Sequence, residues 1–384
     1  MKIVYVVGGL LAPNGMSSVL SSKINYLAEH TDYEIYMILT EKAGHPWYYQ
    51  INPKVKWVNF DINFDELDTM PLYIKLFFYA LKQRKYKKMF TDYLMQIRPD
   101  ITVSTVRREI NFINDIPDGS RKIGEIHFNK SNYRNIHLPF VPTFVNTYLS
   151  DRWMGRLQKQ IDRLDRFVVL TQKDAANWKG LDNLMVIPNF ITHIPSDAST
   201  CTSKKAIAVG RYDTVKGFDM LIDAWRIVYQ RHPDWELFIY GAGDKDAYQS
   251  IANSYGMETV VHCEGPVSDI EKKYIESSFL VLSSRNEGFG LVMVEAMAAG
   301  LPVVAFDCPC GPSDIIIPNE DGLLVQNGNI ENLGNSICKL IEKPSMRQNL
   351  GEKARENSKR FSQDEVMRLW INLFENNHVC LCTH

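Results

Sequence analysis

Short apolar runs alternate with helix-like stretches along almost the whole chain, in two separate series. No other feature narrows the fold as much, because strands separated by helices build a parallel sheet covered on both faces. The first series has apolar runs at residues 3–7, 34–39, 55–60, 101–105, 122–126, 167–170 and 185–187, with amphipathic segments such as 17–29 and 72–97 between them. Residues 188–205 are rich in Pro, Asn, Ser, Asp and Thr and hold no period, as expected of a linker. The pattern restarts at 205–209, 235–240, 259–262, 279–282, 302–306 and 322–325. A chain of 384 residues exceeds what one hydrophobic core serves well. The expected fold is α/β: two Rossmann-like, doubly wound domains, residues 1–195 and 196–362, facing across a cleft. A last helical stretch, 363–376, follows the second domain's strands and could pack back on the first. Ligands of such sheets bind beyond the carboxyl ends of the strands, so the cleft is the expected active site.

Composition excludes several classes. Hydrophobic residues make up 45% and charged residues 23%, and the formal net charge is -2, so bulk charge favours neither nucleic acid nor an acidic tail. The start, Met1 to Val7, reads as a buried strand without the charged region and cleavage site of a signal peptide. No run approaches the ~20 apolar residues of a membrane span. Seven cysteines, mostly scattered, suit a reducing cytosol. Cys308-Pro309-Cys310 and Cys380-Leu381-Cys382 lack zinc-knuckle spacing and read as free thiols. A cytoplasmic location is expected.

Candidate chemistry gathers in loops that follow strands. Arg211 and Lys216 occupy one loop after the run 205–209, and two fixed cations there suit a diphosphate whose charge develops as it leaves. Taken alone, two solvated surface cations would look the same. Between run 279–282 and the next helix lies Ser284-Arg285-Asn286-Glu287-Gly288-Phe289-Gly290-Leu291. Its glycines let backbone approach a ligand, and amides at the following helix N-terminus attract phosphate. Glu295 lies about two turns beyond Glu287, so one carboxylate can face a sugar while the other accepts from ribose hydroxyls. Gly241-Ala242-Gly243 is no dinucleotide fingerprint, because Asp246 stands where the third glycine belongs. Asn14-Gly15-Met16 leads into the first helix, either as an anion-binding turn or simply as a cap. His127 sits just past the run 122–126, where a histidine is either structural or catalytic.

Together these features resemble glycosyltransferase family 4, retaining enzymes of the GT-B fold also described as glycosyl transferases group 1. The likeness is strongest from Val209 to Val325. There Arg211 and Lys216, the Glu287/Glu295 pair and Glu-Ala-Met-Ala-Ala-Gly-Leu-Pro-Val-Val (Glu295 to Val304) stand in order, followed by Asp307 to Pro312 and Asp321 to Val325. The resemblance implies that Arg211 and Lys216 bind the donor diphosphate, that Glu287 holds donor-sugar hydroxyls and that Glu295 holds the ribose. The Phe289-Gly290-Leu291 amides would lie near sugar and phosphate, Val267 near the base, His127 beside the donor sugar and Gly15 near the phosphates. It further implies retention without a metal: front-face attack, with the leaving phosphate taking the acceptor's proton. The donor would be a nucleotide sugar, by family frequency a UDP-hexose, and no separate cofactor is expected. A sugar-nucleotide epimerase or a noncatalytic nucleotide-sugar-binding subunit would use the same cleft.

In the segment 72–97, Tyr86, Met89, Phe90, Tyr93, Leu94 and Ile97 recur at three- and four-residue intervals, and Lys82, Arg84, Lys85, Lys87 and Lys88 crowd near the start of that stripe. A stripe packed on the sheet with a basic rim on an anionic membrane fits this pattern. It points to a glycan or lipid-linked acceptor in surface-polysaccharide assembly, with the protein peripheral on the inner face of the cytoplasmic membrane. The basic cluster is confined to this one segment, so no nucleic-acid partner is expected.

Overall fold

The computed structural model describes residues 1–10, 14–130 and 143–376. The chain divides into two compact units. The first holds Met1–Val169, Asn177–Ile187 and the residues from Trp370 on; the second holds Leu170–Ala176 and Pro188–Leu369.

The first unit is built on a seven-stranded parallel sheet of order β3-β2-β1-β4-β5-β6-β7. Its strands are β1 (Lys2–Val6), β2 (Glu34–Leu39), β3 (Lys56–Asn59), β4 (Ile101–Ser104), β5 (Arg121–Glu125), β6 (Arg166–Val169) and β7 (Leu184–Val186). All four residues of β4 are buried, as befits a strand covered on both faces. Helix Leu72–Ile97 packs Tyr86, Phe90 and Leu94 into the core, where Tyr86 and Phe90 meet Phe60 and Phe112 edge-on. The apolar stripe read from the sequence is therefore core at these three positions. Lys82 also turns inward, its Nζ donating to Ile62 O (2.5 Å) and Asn63 O (2.6 Å).

The last described segment closes this unit. Trp370 and Phe374 are buried, the Arg121 guanidinium donates to Leu373 O (3.3 Å), and Tyr33 Oη donates to Glu375 (2.6 Å).

The second unit holds six parallel strands in the order β10-β9-β8-β11-β12-β13. They are β8 (Lys205–Val209), β9 (Glu236–Tyr240), β10 (Val261–Glu264), β11 (Phe279–Leu282), β12 (Val303–Asp307) and β13 (Gly322–Gln326). Helix Phe218–Arg231 shows why the sequence folds this way: Phe218, Leu221, Ile222, Trp225 and Val228 fall at helical spacing and are all buried. Each sheet reverses its strand order once, between β1 and β4 in the first unit and between β8 and β11 in the second. Ligands of open parallel sheets bind at such points. Among the described residues no helix is long and apolar enough to cross a membrane.

Candidate active site

In the second unit the loops leaving β8, β9 and β11 are tied together through their backbones. Gly210 N donates to Tyr240 O at 3.0 Å and Tyr212 N to Ala242 O at 2.8 Å. A methyl group at Gly241 would lie 1.7 Å from Gly210 O, so only hydrogen fits there. On the other side, Arg285 N donates to Val215 O (2.8 Å) and Ser283 Oγ to Lys216 O (3.0 Å). The Arg285 guanidinium bonds Thr214 O (2.7 Å) and forks onto Asp219 at 2.8 and 2.6 Å.

This stitching brings Lys216 against Glu287. Its Nζ lies 2.7 Å from Glu287 Oε1, which also accepts from Ser284 Oγ at 2.7 Å. The two side chains are only 20% and 8% exposed, so little water screens the pair. Arg211 is placed differently. Its side chain is 79% exposed and pairs with Asp213 of its own loop at 3.1 Å. One cation is thus fixed and the other projects into solvent.

Gly290, at φ 93°, turns the chain into helix Leu291–Ala298, a left-handed conformation that costs glycine nothing. The Phe289 ring is buried against Phe361 (5.8 Å), so what this residue can offer a ligand is its backbone. Leu291 opens the helix. Glu295, within it, accepts from Tyr274 Oη at 3.1 Å. Burial raises the Glu295 carboxyl pKa, with the Tyr274 hydroxyl pulling the other way. Val267 lies beyond β10 and is 37% exposed.

Gly15 and His127 belong to the first unit. Gly15 is the first residue of helix Gly15–His30, whose cap Asn14 accepts from Ser17 N at 2.9 Å. Nothing among the described residues lies within 4 Å of where its Cβ would stand. His127 follows β5, its imidazole 3% exposed and its Nε2 3.5 Å from Glu125 Oε1. Glu125 is paired with Lys23 of helix Gly15–His30. Burial alone would raise the Glu125 carboxyl pKa, but the Lys23 charge first, and then the polar His127 ring beside it, overcome that and hold it at about 2. Burial lowers the Lys23 pKa despite that attraction. Two opposite charges in contact away from water favour one another, so we take the pair as ionised at neutral pH.

Known proteins resemble this chain in sequence over its second half and in fold over nearly all of it. Residues 192–357 match the family described as glycosyl transferases group 1. This part of the chain belongs to that family. An uncharacterised glycosyltransferase of Haemophilus influenzae is 30% identical over 211 residues, which cover 54% of this chain and 60% of that protein. A poly(ribitol-phosphate) alpha-N-acetylglucosaminyltransferase of Staphylococcus aureus is 29% identical over 255 residues, covering 65% of this chain and 52% of the relative. The chain therefore spans about half to three-fifths of the length of these two relatives. Among solved structures, a mutant of S. aureus TarM, in complex with fondaparinux, alpha-GlcNAc-glycerol and UDP, superimposes with a TM-score of 0.73 at 18% identity. The match covers 98% of this chain and 100% of that one. The likeness shows a shared fold, that of the GT-B glycosyltransferases.

Some of the groups around these residues were not apparent from the sequence. Ser284, three residues before Glu287, fixes the carboxylate that Lys216 also holds, and its place in the same loop was a usable signal. Tyr274 and Lys23 were missed because each meets its partner, Glu295 or Glu125, only through the fold. Cys308 and Cys310 are buried free thiols whose pKa values burial pushes up to about 12, which makes them poor nucleophiles. Cys380 and Cys382 lie outside the described residues. Among the described residues no group of three or more His, Cys, Asp or Glu is placed to hold a metal ion.

Proposed function

We propose that the protein is a retaining glycosyltransferase of family 4. It would move a hexose from a nucleotide sugar, a UDP-sugar first among them, to a glycan or lipid-linked acceptor in surface-polysaccharide assembly. The observation that carries this reading is the Lys216–Glu287 contact at 2.7 Å, with Arg211 exposed in the same loop. Lys216 and Arg211 would take the charge that develops on the leaving diphosphate, and the amides from Phe289 to Leu291 would add to it. With the diphosphate bound, Lys216 would be shared between phosphate and Glu287, orienting that carboxylate toward donor-sugar hydroxyls. Glu295, in its less polar setting beside Tyr274, suits ribose hydroxyls. Val267 would lie near the base, Gly15 near the phosphates and His127 near the sugar. The acceptor oxygen bonds to the anomeric carbon on the face the diphosphate leaves, and the acceptor's proton passes to the leaving phosphate. Two cations and helix-terminal amides supply charge where a metal would otherwise sit, so transfer in EDTA is expected.

The test is release of nucleoside diphosphate from a panel of UDP- and GDP-sugars in EDTA, for the wild type, Glu287→Ala and Lys216→Ala. Turnover of one donor, lost in both variants, supports the reading. Failure of every donor both to turn over and to bind by calorimetry overturns it.

Helix Leu72–Ile97 is the proposed membrane contact. Tyr73, Leu76, Phe77, Phe78 and Leu81 are exposed near its start, and the exposed Arg84, Lys85, Lys87 and Lys88 follow. Apolar side chains beside cations fit an anionic lipid surface. Sedimentation with phosphatidylglycerol vesicles but not phosphatidylcholine ones, abolished by Phe77→Ser with Lys85→Glu, is the expected result.

A further inference from the structure

His127 poses a problem that the proposed function leaves open. Its imidazole is buried, and among the described residues neither ring nitrogen has a hydrogen-bond partner. A buried polar atom left without a partner is costly and calls for an explanation such as a ligand. The ring is also not placed at random. Nε2 points at Glu125 Oε1 from 3.5 Å, and that oxygen likewise lacks a hydrogen-bond partner. The other Glu125 oxygen is taken by Lys23. Lys23 in turn lies 3.5 Å from the centre of the Trp370 ring, a cation–π contact that leaves its side chain only 2% exposed. Tyr5, buried on β1, adds a hydroxyl that has no hydrogen-bond partner among the described residues and whose pKa is raised by burial and then by the Glu125 charge. Ring, carboxylate, ammonium and indole thus form a buried line from the carboxyl end of β5 to the last helix.

We propose that Glu125 is a positioning residue for His127: with Lys23 as its counterion under Trp370, it holds the imidazole with Nε2–H toward the carboxylate and Nδ1 free to accept a hydrogen bond from a donor-sugar hydroxyl. The proposal rests on the reading that His127 meets the donor sugar. A carboxylate behind a histidine selects the tautomer and the ring orientation. The Lys23 charge keeps that carboxylate ionised, and the indole excludes water from the ammonium.

Glu125→Gln alone would strand a buried lysine, so the test uses Glu125→Gln with Lys23→Met, which removes both charges at near-constant volume. Two readouts are combined. Long-range ¹H–¹⁵N spectra of ¹⁵N-histidine-labelled protein, with His127 assigned from the spectrum of His127→Ala, read the tautomer directly. We expect one Nε2–H tautomer in the wild type and a mixture in the double variant. Turnover of the active UDP-sugar should fall ~10- to 100-fold in kcat in the double variant, the scale set by misplacing a group at the reacting centre. In a His127→Ala background the same pair of changes should have no further effect on kcat, because positioning acts only through the ring. A merely structural pair would lower activity equally in both backgrounds and leave the tautomer unchanged. That pattern overturns the proposal. If instead His127→Ala leaves kcat intact while the tautomer still depends on Glu125, the reading of His127 as a sugar contact fails and the positioning itself stands.

Discussion

The two units carry their charges in opposite ways. In the second, Lys216 and Glu287 stand in loops at the strand ends, fixed by hydrogen bonds between those loops, with Arg211 left in solvent. In the first, Lys23 and Glu125 are both 2% exposed, and Lys23 lies against the Trp370 ring. A charge in a loop is available to a ligand at once, and its geometry depends on how well the loop is held. A buried pair is held by packing and acts on a ligand only through a neighbour. The second arrangement suits binding of an anion, the first suits fixing one ring.

The strongest way to break this contrast is to remove the loop cation. Lys216→Ala should lower kcat/KM by about 10²- to 10³-fold, the loss typical of one electrostatic donor at a developing charge. Arg211→Ala should lose less, because an exposed side chain must be ordered on binding. Steady-state kinetics with the active donor checks both, and an Arg211 effect as large as that of Lys216 would erase the distinction between half-buried and exposed cation.

Next in size is the loop framework. Gly241→Ala places a methyl 1.7 Å from Gly210 O, so the loops after β8 and β9 must part. We expect a loss of about 1–3 kcal/mol by denaturant unfolding, the range for overpacking, with a larger loss of donor affinity than Gly15→Ala. Among the described residues nothing stands within 4 Å of the Gly15 Cβ position, so its substitution should leave stability within about 0.5 kcal/mol of the wild type.

The buried pair predicts a pH effect confined to the first unit. Glu125 is held at about 2, below its ordinary value, so its contribution is complete above the ordinary carboxylate range. It is lost as pH falls from about 4.5 toward 2, when the folded state must take up a proton. The depressed Glu125 value alone sets the size of this loss, on the order of 2 kcal/mol by pH 3. Thermal melts at pH 7, 4 and 3 should show a steeper acid loss in the wild type than in the Glu125→Gln, Lys23→Met variant. Parallel curves would mean that the pair is not ionised as assigned.

The same contrast explains what could be read from the sequence. Among the described residues each strand overlaps an apolar run, most plainly where a strand buried on both faces is apolar throughout, as Phe279–Leu282 is. Lys216 and Glu287, though 71 residues apart, come from loops following neighbouring strands of one sheet, so strand order alone brings them near. The line through Lys23, Glu125, His127 and Trp370 had no such signal. Its members come from a helix, a strand end, a loop and the last helix, and a lysine in an amphipathic segment reads as solvated until its neighbours are known. Helix Leu72–Ile97 was legible in part: Tyr86 and Phe90 carried the period, but Tyr73, Phe77 and Phe78 are apolar residues left outside, which period alone does not reveal.

The smallest expected effect tests the stitching itself. Arg285 forks onto Asp219 with two short bonds, an arrangement that looks strong, yet both side chains are more than 40% exposed. Exposed pairs gain little over hydration, so Arg285→Ala should cost only about 0.2–1 kcal/mol in stability. Its backbone bond from N to Val215 O survives the substitution, as does Ser283 Oγ to Lys216 O. If those two bonds hold the loops, Lys216 stays in register and donor affinity changes less than threefold by calorimetry. A larger loss would mean that the guanidinium's bond to Thr214 O, not the backbone, sets the position of Lys216, and that the second unit depends on a side chain much as the first depends on Lys23.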